Sequence, residues 1–332
     1  MTHIFEALPP CSSAAEFLER IRPSNDLWTG DFAAHTGWVF RGQTSSRWKL
    51  RPAAFRFLNR DKLLSRYWMV YQKRYGGLSA EAWLDWLAPT TKRPAGLDER
   101  NWARRVGFAG LQALVTGVLV RDFVLYADCA GHPVRVPGFL WHITNRERHP
   151  EALRTLFHGR FDEADAAVFA IAQHHGVPTG FLDWTYNPLV AAFFAAEPLA
   201  GANTLSGEIA VWAIRTALFR HDWKEIRRLT VQPGVVPFLD AQRGLFTWSP
   251  YIHERFLKSG RYAPFDLILG DLDPAPSTLY PLLRKVTLPA RFAPQLLKLL
   301  AREEVTRAHL MPTFDNVAAT LRLQATWKTE AA

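Results

Sequence analysis

Apolar and polar positions recur along this chain with two periods, and the sharpest change between them falls in the stretch 168–197. Val168, Ile171, Ala172 and His175 keep the spacing of one helix face. Gly176 suits the left-handed residue just past a helix end, and Pro178 blocks continuation. Phe181 and Leu182 read as a buried strand ending at Asp183. Asn187 and Pro188 then form an N-cap and a favoured first helical residue. Leu189 to Ala196 is apolar all round, as a buried helix must be.

The same reading places elements elsewhere. A helix over Ser13 to Ile21 is capped by Ser12 or Ser13 and closed by Pro23. Trp38 to Phe40 is a core strand. Pro52 to Tyr75 is helical up to Gly76 and Gly77, Ser79 caps a helix through Leu87, and Pro89 to Gly96 is a loop. Leu97 to Tyr126 is a long helix and Asp128 to Pro137 a turn-rich joint. Arg154 to His175 is helical again. Strands follow at Glu208 to Ile214, Lys285 to Leu288 and His309 to Met311. Helices follow at Pro294 to Glu303, where Leu296, Leu297 and Leu300 share a face, and from a cap at Asp315 through Leu323. Strands and helices mix without regular alternation, which predicts an α+β fold.

Composition narrows the classes. A chain of 332 residues with 48% hydrophobic and 21% charged content is that of a globular protein with a sizeable core. The longest uncharged stretch, Val106 to Val120, contains Gln112 and Thr116 and is short for a bilayer, so it reads as a buried helix with no membrane partner. Met1 to Pro10 lacks the basic start and apolar run of a signal peptide. Two widely spaced cysteines, Cys11 and Cys129, predict neither a disulfide framework nor a zinc site, and fit a cytoplasmic setting.

The net charge of +9 favours polyanionic partners. Arg47, Lys49, Arg51, Arg56 and Arg60 stand close together against Asp61 alone, with Trp48, Phe55 and Phe57 between them. Such a run contacts nucleic acid through Arg47, Lys49, Arg51 and Arg56, or is a solvated face whose long side chains cover apolar surface.

The strand-to-helix turn at 183–189 has its own chemistry. A helix opening just past a strand end offers unpaired N–H groups and a positive dipole end to an anion, with Asp183, Trp184, Thr185 and Asn187 around it. Trp38 to Gln43, W-V-F-R-G-Q, delivers an arginine at a strand end, where its planar fork suits phosphate or carboxylate. The F-R-G-Q block and Q-H-H-G-x-P-T-x-x-L-D-W-T-x-N-P-L together resemble the FRG domain family. The likeness runs from Trp38 to Leu323. It implies an FRG domain over 31–332, with a helical insertion at about 60–150, behind the leader helix read from the residues in 1–30. Asp240 to Trp248 resembles a third block of that family. One departure is Gly180, where the family carries an arginine that this chain does without or supplies from elsewhere, for instance from Arg243.

A further likeness is to ADP-ribosyltransferases of the DNA-modifying type. It implies a mixed, split central sheet and NAD as substrate. Arg41, Asp183, Thr185 and Gln242 would be catalytic. Arg41, Gly42, Gln43, His174, Thr179, Trp184, Thr185, Asn187 and Phe246 would hold the dinucleotide, with Trp184 or Phe246 stacking on nicotinamide. The late glutamate of that fold is absent from Gln242–Gly244, leaving Asp183, Glu208 or Glu254 to stabilise the oxocarbenium-like centre. The resemblance implies an acceptor that is nucleic acid or protein, an antitoxin or neighbouring defence protein as partner, and a toxin or phage-defence role. The alternative is a non-catalytic module that binds a nucleotide or nucleic acid.

Other chemistries lack their residues. His174 and His175 point about 100° apart on a helix, which predicts no shared metal, with His175 in the core and His174 reaching the cleft. No G-x-S-x-G, P-loop or dinucleotide glycine pattern occurs.

Overall fold

The computed structural model describes residues 4–28, 37–56, 62–132, 134, 136–143, 149–202, 204–216, 225–229, 238–271 and 281–329. Seven strands make one mixed sheet: β1 Phe5–Ala7, β2 Trp38–Gln43, β3 Phe181–Thr185, β4 Glu208–Arg215, β5 Arg227–Leu229, β6 Gly244–Trp248 and β7 Leu283–Pro289. Their spatial order is β1-β7-β4-β2-β3-β6-β5. β1 and β7 run parallel and every other neighbouring pair antiparallel. The fold is α+β, as expected.

The helices of the first half are α1 Ala14–Ile21, α2 Lys62–Tyr75, α3 Ala80–Leu87, α4 Glu99–Cys129, α5 Gly138–His142, α6 His149–Phe157 and α7 Glu163–His174. Those of the second half are α8 Pro188–Ala196, α9 Leu239–Gln242, α10 Ile252–Ser259, α11 Phe265–Gly270, α12 Ala293–Arg302, α13 Arg307–Leu310 and α14 Phe314–Thr329. They cover both faces of the sheet. On one face Phe17 of α1, Val190 and Phe193 of α8 and Leu296, Leu297 and Leu300 of α12 pack on Trp38, Phe40, Val211 and Leu288. On the other, Leu64, Trp83, Val106, Leu114, Leu153 and Phe169 from α2–α7 join Val39, Trp184 and Trp212. β4 shows why the chain alternates as it does. Ile209, Val211 and Ala213 enter one core and Ala210, Trp212 and Ile214 the other, so a strand covered on both sides reads as an unbroken apolar run.

α4 is the one helix, among the described residues, long and apolar enough to cross a membrane, and most of that stretch lies inside the fold. Its interior polar groups are paired: Gln112 Nε2 donates to the Ala54 carbonyl and Thr116 Oγ1 to the Gln112 carbonyl. The expected caps at Ser13, Ser79 and Asn187 are all present, each side chain accepting from a first-turn amide.

Several elements differ from the sequence reading. β3 continues two residues past Asp183 because Leu182 and Trp184 alternate into the core while the strand pairs with β6. The helix expected from Pro52 is a single tight turn at Ala53–Phe55, and α2 begins at Lys62. Phe57, Arg60 and Asp61 lie outside the described residues, as does Pro133. The run to His175 is two helices, parted where Gly159 takes φ +56° and Asp162 caps the second. His309 to Met311 is not a strand: Thr306 accepts from the His309 amide and starts the one-turn α13. Thr313, not Asp315, caps α14, its hydroxyl accepting from Asn316 N. Gln242, in the block that resembles the family's third, is the last residue of the four-residue α9.

Candidate functional site at the fork of the sheet

The sheet is joined at its middle by very little. β2 pairs with β4 over all six of its residues and β3 with β6 over five, whereas β2 and β3 meet at one rung, Phe40 opposite Thr185. The ladder therefore forks there. The next residue on β2, Arg41, spans the gap with its side chain. Its Nη1 donates to the Asp183 carbonyl at 2.8 Å and lies 2.6 Å from Asp183 Oδ1. The Asp183 carbonyl takes its donor from the guanidinium where no rung follows.

Each residue of the F-R-G-Q strand has its own task. Phe40 packs edge-on against Trp28 at 5.0 Å. Gly42 lets α8 lie directly on β2, since a Cβ there would stand 1.9 Å from the Ala191 carbonyl oxygen. Gln43 is buried, its Oε1 accepting from Trp212 Nε1 at 2.9 Å and its Nε2 donating to the Lys49 carbonyl at 3.3 Å.

A cavity of about 190 Å³ opens at the fork. Arg41, Gly42, Gln173, His174, Asp183, Trp184 and Thr185 line it, with Gln242, Phe246 and Met311 from late in the chain and Val190, Ala191 and Phe194 from α8. Its walls thus come from both layers. The Arg41 side chain is only 11% exposed, yet Asp183 is 56% exposed and presents its carboxylate to the opening. Burial works to raise the Asp183 pKa. The Arg41 charge and hydrogen bond outweigh it, with smaller help from the Asp183 backbone amide and the Arg56 charge, and hold the carboxyl below its ordinary value. Both Arg41 contacts use Nη1, and its buried Nε has no hydrogen-bond partner among the described residues. A buried donor left so is uncommon in a folded protein.

The remaining expected residues have partners of their own or lie elsewhere. Thr185 reaches the cavity, but its hydroxyl is committed: it donates to the Gln242 carbonyl at 2.5 Å and accepts from Asn187 N at 2.9 Å. Asn187 lies outside the cavity wall and caps α8 through Leu189 N. The Gln242 carboxamide donates to the Leu310 carbonyl, which closes α13 over this side. Trp184 and Phe246 are almost wholly buried, and the Trp184 indole donates to Thr247 Oγ1 at 2.9 Å. Thr179 is away from the cavity, bonded to Gln173 Oε1 and the Phe181 amide. Gly180 faces the Phe55 ring, and Arg243 is exposed without lining the cavity.

His175 is not a core residue. It caps α7, is exposed, and stacks on Phe123. His174 is half-buried on the cavity wall. Of the carboxylates considered for the missing glutamate, Glu208 accepts from Ser46 Oγ and Glu254 is buried, accepting from the amides of Thr90 and Thr91. Neither lines the cavity, so Asp183 is the carboxylate at this site.

The basic residues lie on the loop that follows β2. Arg47 is exposed, Lys49 pairs with Asp266 at 3.3 Å, and Arg56 Nε donates to the Arg51 carbonyl at 3.2 Å. The Arg56 charge adds slightly to holding the Asp183 carboxyl below its ordinary value. No group of metal-ligating side chains occurs among the described residues. A larger groove of about 590 Å³, between α8, α12 and α14, is lined chiefly by apolar side chains and contains none of the motif residues.

The FRG domain family model matches residues 135–203. The match contains α7, β3 and α8, and hence Asp183 and the wall from His174 to Phe194; the F-R-G-Q strand lies ahead of it. No curated protein and no solved structure matches the chain.

Proposed function

We propose that this FRG-domain chain is an ADP-ribosyltransferase-like enzyme that takes the nicotinamide-ribose end of NAD into the cavity at the sheet fork. The observation that carries the reading is the meeting of Arg41 and Asp183, far apart in sequence, at a single-rung fork in a mixed sheet. Asp183 is ionised at neutral pH and open to the cavity, where a carboxylate stabilises the positive charge that grows on the ribose as nicotinamide leaves. The Arg41 guanidinium, a permanent cation on the cavity wall, would take a phosphate or ribose oxygen of the same substrate. A volume of about 190 Å³ suits a ring and a sugar, with the rest of the dinucleotide leaving over the basic β2 loop. The acceptor is a nucleic acid or a protein, and a toxin or phage-defence effector is the setting such chemistry suits.

Incubation with NAD labelled in the adenylate half is expected to transfer label to cell-extract nucleic acid or protein. Arg41→Ala is expected to lower that transfer at least ~100-fold. No label transfer and no NAD binding by the intact protein would overturn the proposal.

One observation favours a second reading. Arg41 already has a carboxylate partner, so the fork is internally neutral, as in a module that binds without reacting. That reading predicts nucleic-acid affinity falling steeply with salt and weakened by neutralising Arg47, Lys49 and Arg51 together. A flat salt response in a filter-binding titration would count against it.

A further inference from the structure

The cavity wall carries three titratable side chains among the described residues: Arg41, Asp183 and His174. Arg41 and Asp183 are occupied with each other, the first a permanent cation and the second an anion held in that form. A transfer reaction leaves one proton to place. From this geometry we infer that His174 is the general base of the site, receiving the proton of the acceptor group.

The inference rests on the transferase reading above. The acceptor X–H attacks C1′ of the nicotinamide ribose. The C1′–N bond breaks, its electron pair leaves with neutral nicotinamide, and the X–H proton passes to an imidazole nitrogen of His174. No oxidant or further reactant is needed. Asp183 is a poor base because its stabilised anion binds a proton weakly, which leaves the imidazole.

The surroundings of His174 suit this role. It is the last residue of α7, half-buried, and shares the cavity wall with Asp183 of β3, which is paired to Arg41 of β2. His175 is its neighbour at 5.2 Å and Phe238 lies 6.4 Å away. Burial and the charge of His175 lower its pKa, with Asp183 opposing, so the ring is neutral and able to accept a proton at pH 7.

The test is the pH profile of label transfer by the intact protein and by His174→Gln, with NAD affinity measured on both. The wild type is expected to lose activity as the medium turns acid, with a midpoint below the ordinary imidazole value. His174→Gln is expected to lose at least ~100-fold in kcat, with a smaller change in NAD affinity, and to lack that acid limb. His174→Asn serves as a second variant should the Gln form fold poorly. Equal rates and equal profiles in the wild type and a folded variant overturn this assignment and leave the transferase reading standing. Absence of transfer by the wild type overturns both.

Discussion

Gly42→Ala is expected to cost about 3 kcal/mol or more and to lower the melting temperature by roughly 5–10 °C, the largest loss of stability from adding one methyl group to this chain. The new Cβ would stand 1.9 Å from the Ala191 carbonyl oxygen and 2.8 Å from the Ala195 amide, both backbone atoms of α8. No rotamer relieves such a clash. The helix must lift from the sheet, and with it the seal between α8, β2 and β4 that excludes water from that core. Gly77→Ala is the matched control, since a Cβ there meets nothing within 4 Å. Thermal melts of the two variants measure the difference. A Gly42→Ala protein that melts with the wild type would mean that α8 does not rest on β2 as described.

That clash also explains why the F-R-G-Q strand was legible as a unit. Its residue types answer local needs: an aromatic for the core, a glycine for a helix at backbone distance, an amide for a buried indole. The turn into α8 was equally readable, because Asn187 and Pro188 act on the next few residues. What local pattern does not contain is register. Arg41 and Asp183 stand 142 positions apart, and neither periodicity nor capping says that β2 touches β3 at one rung. The same limit hid β1 and β5, strands of three residues each, too short to display a period. It hid the partner of Glu254, whose role depends on a loop 163 residues earlier. His309 to Met311 misled because its side chains suit a strand, while Thr306, three residues ahead, had already set a helical turn.

The resemblance assigned most of the polar residues around the fork to a ligand, and the structure gives several of them a nearer partner. Thr185 and Asn187 hold the strand-to-helix turn, Gln43 holds Trp212, and Thr179 holds Gln173. Satisfying such groups internally stiffens the strands and turns around the fork. It also leaves Arg41, Asp183 and His174 as the titratable side chains of the cavity wall, among the described residues, on which the proposed chemistry draws.

Asp183→Asn is therefore expected to reduce label transfer from NAD by ~100- to 1,000-fold while leaving the fold nearly intact. The amide preserves the shape of the carboxylate, and the Asp183 carbonyl keeps its bond to Arg41 Nη1. Because the side chain is more than half exposed, loss of the ion pair should cost at most about 1 kcal/mol. The sign of its pH dependence follows from the pKa. A carboxyl held below its ordinary value stabilises the fold above the unfolded pKa, and that contribution disappears as pH falls through the folded one. Wild type and Asp183→Asn should thus differ most in melting temperature near neutrality and converge in strong acid. Arg41→Lys separates charge from geometry, because an ammonium cannot both span the fork and keep a second N–H edge free. It is expected to fall nearly as far as Asp183→Asn in transfer. An Asp183→Asn protein that transfers label at the wild-type rate would remove the carboxylate from the chemistry and leave the fork a structural joint.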